Sequence, residues 1–168
     1  MDWLFYVSAT VAIAATLMMV TRVNAVHALL YLIVSLLAVA VTFYVIGAPF
    51  VAALEAIVYA GAIMVLFLFV VMLLNLGTKA LEVERSWLTP GIWVGPTMLA
   101  IILAAEFVYL VLRETSDGAM TNVIGPKQVG LALYGPYLVG VELASMLLLG
   151  GLVGAYHLGR ERRGEPEA

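Results

Sequence analysis

The sequence predicts an all-α integral membrane protein with five transmembrane helices. Three observations carry that prediction. Of the 168 residues, 64% are hydrophobic and 11% charged, whereas a soluble domain is nearer half apolar and a quarter charged. The mean hydropathy is +1.10. Five apolar runs, each close to the roughly 20 residues that cross a bilayer, are separated by polar segments. None of them alternates in polarity as barrel strands do, and no internal repeat suggests an inverted-repeat transporter.

Residues 1–168 read as a single membrane domain. The first span covers about 3–21. It follows an acidic residue, Asp2, and lacks a basic n-region, so it is expected to be a span and not a cleaved signal peptide. It ends at Thr21-Arg22-Val23-Asn24, and the second span, about 26–47, stops at Gly47-Ala48-Pro49. The third, about 51–76, carries Glu55 and Tyr59, then Gly61 between two alanines, then a run of Val, Phe, Met and Leu. A charged loop with Lys79, Glu82, Glu84 and Arg85 follows. The fourth span, about 91–113, has Pro90 and Pro96 near its start, where proline is tolerated. A polar segment leads to the fifth span, about 134–157, and to a tail at 158–168.

Five spans put the termini on opposite sides. One side then collects Arg22, Lys79, Arg85, Arg160, Arg162 and Arg163, the other only Arg113 and Lys127. Because basic residues favour the cytoplasmic face, the N-terminus is expected to be periplasmic and the C-terminus cytoplasmic.

Composition also narrows the chemistry. With no cysteine, disulfides, Fe–S clusters and thiolate zinc sites are excluded. Two histidines, His27 and His157, lie near the ends of different runs and offer little to a haem or metal. A net charge of −3 gives no footprint for nucleic acid.

Three carboxyl groups sit inside the spans: Glu55, Glu106 and Glu142. Placing a charge mid-helix in a bilayer costs about 2.5–3.5 kcal/mol on insertion scales. At about 1.5 Å per residue, Glu55 lies roughly 12 Å outward of the midplane, and Glu106 and Glu142 roughly 6 Å outward. Each is either a neutral acid hydrogen-bonded to a neighbouring helix or a group that touches water and relays protons. Carboxyls confined to the outer half cannot carry a proton across alone, which argues against a self-contained channel and for a place in a larger assembly.

At 100° per residue, Glu55, Tyr59, Ala62 and Leu66 would share one face of the third span, with Ala52, Ala56 and Ala60 as a small-residue ridge nearby. The fifth span has Gly140 with Ala144, Gly150 with Gly154, and Gly151 with Ala155. Such spacing lets helix backbones approach closely in lipid, and two crowded ridges in so short a chain point to helical partners. Gly61 weakens the helix near mid-bilayer by up to about 1 kcal/mol relative to alanine. It fits either a tight helix contact or a π-bulge, which would turn everything beyond it by roughly 100°.

The stretches Asn24 to Leu32, Glu55 to Phe67 and Glu142 to Leu149, with Gly135-Pro136-Tyr137 and Glu84-Arg85-Ser86-Trp87-Leu88, resemble the J subunits of bacterial respiratory complex I, the proton-pumping NADH:quinone oxidoreductase. The likeness runs over nearly the whole chain, and its third-span motif is the most specific part. Ala25 stands where the family often has proline, leaving the start of the second span less rigidly defined.

This resemblance implies a multi-pass subunit of the bacterial inner membrane with no active site of its own. NADH, FMN, Fe–S clusters and quinone would be bound by other subunits. The implied neighbours are the quinone-binding subunit, a small carboxylate-bearing subunit and antiporter-like subunits, with membrane lipid and no nucleic acid. The third helix would carry a π-bulge around Tyr59 to Phe67 whose α/π transition accompanies opening and closing of the complex. Tyr59 and Gly61 would form the flexible turn, with Met64, Val65 and Phe67 as a hydrophobic gate. The loop with Glu82 and Glu84 would face the junction of the two arms. Two other readings remain from the residues themselves: a purely structural packing subunit, and an independent small transporter.

Overall fold

The computed structural model describes residues 2–74, 91–117 and 123–159. The loop with Glu82 and Glu84, the last two residues expected of the third span, and the tail from residue 160 lie outside the described residues. All regular structure among the described residues is helical. Helix α1 covers Asp2–Thr21 and α2 covers Ala25–Val45. The third span is composite, with α3 at Pro49–Leu54, a π-helical segment at Glu55–Ile63, and α4 at Met64–Leu74. Next come α5 at Gly91–Asp117, a short α6 at Pro126–Leu133, and α7 at Leu138–Gly159. Among the described residues, five helical runs are long and apolar enough to cross a membrane.

The helix ends follow local chemistry. Asn24 caps α2, its side-chain oxygen accepting the His27 N–H at 3.2 Å. At the other end Gly47 adopts φ 89°. There the Ala48 N–H donates to Phe43 O and the Gly47 N–H to Tyr44 O, both at 3.0 Å. This is a Schellman closure, which glycine completes without Cβ strain. Pro49, which cannot continue α2, opens the third span at its first helical position. The turn is tied further by the Ile124 N–H, which donates to Gly47 O at 2.9 Å. Gly47→Ala is expected to destabilise this turn by about 1–2 kcal/mol, measured as a lower midpoint of thermal dissociation in detergent.

Contacts divide the chain into two units, Met1–Gly125 and Pro126–Ala168. In the first, α2 is the spine, packed by α1, by the third span and by α5. Hydroxyl groups clasp α1 to α2 twice. Thr16 and Ser35 share a 2.8 Å hydrogen bond, and the Thr42 hydroxyl lies 3.1 Å from that of Ser8. Such interhelical bonds contribute about 0.6 kcal/mol each. Between the clasps Ala15 and Ala38 are fully buried and let the backbones approach. Leu103 and Leu110 of α5 join Leu4 and Val11 of α1 and Val41 and Val45 of α2 in one core.

At the other end of the hairpin, Tyr31 stacks on His27 with ring centroids 5.0 Å apart, and the Arg22 guanidinium lies 5.5 Å from the Tyr31 centroid. The Tyr31 ring also lies against α5 at Gly95, where a Cβ would come within 3.1 Å of its Cζ and closer still to its hydroxyl. Gly95→Val should therefore displace Tyr31 and loosen α5 from α2, at a cost of about 1–3 kcal/mol for overpacking. Faster limited proteolysis would report it. Pro96 falls at the sixth residue of α5, beyond the first turn where the sequence suggested tolerance, and removes one helix hydrogen bond.

In the second unit the last span begins at Leu138, four residues later than its apolar run. Residues 134–137 make a turn instead, with the Tyr137 N–H donating to Ala132 O at 3.1 Å. A Cβ on Gly135 would sit 2.7 Å from Leu131 O, so glycine is needed there, and Pro136 prevents one continuous helix.

Candidate functional site

The third span changes register part-way along. After six α-helical residues, nine adopt π geometry, and the α ladder resumes at Met64. The Met64 N–H donates to Tyr59 O, five residues back, as well as to Gly61 O. Gly61 sits inside the segment, where a Cβ would lie 3.3 Å from Ala56 O, again five residues back. Its missing side chain thus favours the wider turn.

This register decides which residues face α2. Ala52 and Met64 are both buried, with Ala56 and Ala60 half-buried between them. In an uninterrupted α-helix, residues twelve apart point about 120° away from each other. The wider π turns absorb that drift and hold a four-residue period on one side. The ridge of Ala52, Ala56 and Ala60 is therefore the packed edge. The residues expected to share a face in a plain α period (Glu55, Tyr59, Ala62 and Leu66) lie off that packed edge. Glu55 is half-buried, Tyr59 is 51% exposed, and Ala62 and Leu66 are exposed.

Met64, Val65 and Phe67 lie in α4, beyond the π segment, which starts four residues before Tyr59. They do not form one cluster within this chain. Met64 is only 2% exposed, while Val65 and Phe67 are 63% and 55% exposed and point elsewhere. A half-open apolar cleft of about 610 Å³ runs beside the segment, lined by Val41 and Tyr44 of α2, Ala52, Ala56, and Leu103 and Phe107 of α5.

Of the remaining carboxyls, Glu142 is exposed on α7, and its backbone carbonyl accepts the Ser145 hydroxyl at 2.7 Å. Within α7, a Cβ at Gly140, Gly150, Gly151 or Gly154 would meet nothing of its own unit within 4 Å. Glu106 is 5% exposed on α5, and neither carboxyl oxygen has a hydrogen-bond partner among the described residues. Among the described residues no group of His, Asp and Glu could hold a metal ion.

The family model for NADH-ubiquinone/plastoquinone oxidoreductase chain 6 matches residues 15–158. The chain belongs to this family. NADH-quinone oxidoreductase subunit J of Pseudomonas aeruginosa is 59% identical over 162 residues, covering 96% of this chain and 98% of that one. The subunit J of Escherichia coli K12 is 55% identical over 163 residues, with 97% and 89% covered. That of Buchnera aphidicola subsp. Schizaphis graminum is 44% identical, with 97% and 100% covered. The match takes in the end of α1 and, wholly or nearly so, the other four spans, and it contains the π segment.

Proposed function

We propose that the chain is a membrane-arm subunit of proton-translocating NADH:quinone oxidoreductase, and that it couples quinone reduction to proton pumping by changing the register of its third span. It has no active site of its own, and NADH, FMN, Fe–S clusters and quinone are held by other subunits. Its neighbours are the quinone-binding subunit, the small carboxylate-bearing subunit and the antiporter-like subunits of the inner-membrane complex. The N-terminus is periplasmic and the C-terminus cytoplasmic, with the loop of Glu82 and Glu84 at the arm junction.

The observation that carries this reading is the π segment at Glu55–Ile63. In the π register Met64 packs inward and Tyr59 is exposed. Converted to α, the segment would keep Ala52 in place and turn the downstream half by roughly 100°. Tyr59 and Ile63 would then take the inward positions of Ala60 and Met64, and Met64, Val65 and Phe67 would present new faces to adjoining subunits. A two-position element of this kind can wet or dry a path beside it while its ends stay fixed. Its open outer face, with Val65 and Phe67 exposed, needs another subunit to complete the gate.

Structures of the intact complex at rest and during turnover test this directly. The expected result is a π segment in one state and an α ladder through Glu55–Ile63 in the other. A single register in both states would leave the structural packing role, and proton transport by the purified chain alone in liposomes would favour the independent transporter.

A further inference from the structure

Glu106 is enclosed by its own chain. Leu103 precedes it by three residues and Leu110 follows by four, so all three share one face of α5. Both leucines belong to the core built with Leu4, Val11, Val41 and Val45. Ser8 holds the matching position on α1, between Leu4 and Val11, and Thr42 the matching position on α2, between Ala38 and Val45. The level agrees as well. Trp3 and Tyr109 meet edge-to-face with centroids 5.5 Å apart. Stepping along the antiparallel pair α1 and α5 from that contact, Ser8 lies about 7.5 Å away and Glu106 about 4.5 Å, in the same direction. The three polar residues therefore occupy one layer of an otherwise apolar core.

Their hydrogen bonds are incomplete in a complementary way. The Ser8 hydroxyl donates to Leu4 O at 3.0 Å and accepts from Thr42 at 3.1 Å, while Thr42 can also donate to Ala38 O at 2.9 Å. Each hydroxyl has one proton and two lone pairs, so the pair retains acceptor capacity but no free donor. Both Glu106 oxygens are buried without a hydrogen-bond partner among the described residues. Buried polar atoms of this kind are almost always satisfied. Ser8 is fully buried and Glu106 only 5% exposed, which leaves little access for a side chain of another subunit. A molecule small enough to be enclosed, able to donate twice and accept, meets the requirement. Water does so where two to four polar partners converge.

We propose that the Glu106 carboxyl holds a buried water molecule shared with the Ser8–Thr42 hydroxyl pair, an enclosed protonatable hydration site between α1, α2 and α5. It lies in the helix core and stands independently of any motion of the third span. The site stores a proton on the acid and offers the water as its exchange partner.

Infrared spectra of the intact complex, wild type against Glu106→Gln, test the site. The expected result is loss of one protonated-carboxyl C=O band in the variant, and a downshift of that same band in the wild type on transfer to D2O. No lost band, or a band that D2O leaves in place, overturns the proposal. Cryo-electron microscopy of the wild-type complex at water-resolving quality gives a second measurement that does not depend on the variant folding. Density for a water within hydrogen-bonding reach of Glu106 and of Ser8 or Thr42 supports it. A carboxyl bonded to Arg113, to another subunit, or packed dry against the leucines overturns it.

Discussion

Gly61→Leu is expected to lower proton pumping per electron while leaving electron input to an artificial acceptor unchanged. The reasoning begins with a distance. In the π register a Cβ at residue 61 would meet Ala56 O at 3.3 Å, so a side chain crowds the carbonyl that this register brings near. An α ladder imposes no such crowding, and leucine is a better α-helix former than glycine by nearly 1 kcal/mol. Both effects push toward α. A bias of 1–2 kcal/mol changes a two-state ratio by about 5- to 30-fold, enough to depopulate one partner of an equilibrium whose states differ by a few kcal/mol. Val65→Gly acts on the same device from the far side by removing part of the exposed apolar face of α4. Proton uptake by vesicles, divided by NADH oxidised, is the measurement. Equal loss of pumping and electron input, with normal assembly, would count against the coupling role.

Much of the fold was legible because the bilayer imposes one length and one composition on every span. The apolar runs end within a few residues of the helices, and Asn24, Gly47, Pro49 and Pro126 mark ends for local steric and hydrogen-bonding reasons that a sequence displays. The fifth span started late because Gly135 and Pro136 belong to a turn, although Tyr134 to Tyr137 are apolar enough to read as membrane. Gly61 pointed to the weak place in the third span. The ridge of Ala52, Ala56 and Ala60 that packs there was readable from its small residues, but its continuation to Met64 was not, since the 100° rule presupposes the α ladder that the π segment abandons. Met64, Val65 and Phe67, which the family resemblance groups as one gate, differ in exposure within this chain: Met64 is buried, and Val65 and Phe67 are exposed. Glu106 was visible as an acid in a span. Its alignment with Ser8 and Thr42 was not, because that depends on which faces of three helices meet.

A charge at Met64 should produce the largest structural change. Met64 is 2% exposed against α2 only because the π turns bring it there. In Met64→Asp, the π register would bury a carboxylate among apolar side chains, at about 2.5–3.5 kcal/mol for a mid-helix position. Turning α4 by roughly 100° carries residue 64 off the packed edge to the outward side, where water or a polar group of another subunit can relieve part of that cost. At 1.4 kcal/mol per factor of ten, each 1.4 kcal/mol so relieved favours the α form about tenfold over the π form. Met64→Ala, which removes volume without adding charge, should leave the segment π and cost stability alone, about 2–5 kcal/mol if the cavity does not collapse. The variant complexes should differ accordingly in a traced backbone. Met64→Asp should show unbroken i→i+4 bonds through Glu55–Ile63 with Tyr59 turned toward α2 and the cleft beside it. A π segment that persists in Met64→Asp, with the acid still facing α2, would mean that the register is fixed by the fold and does not answer to what the inward face carries.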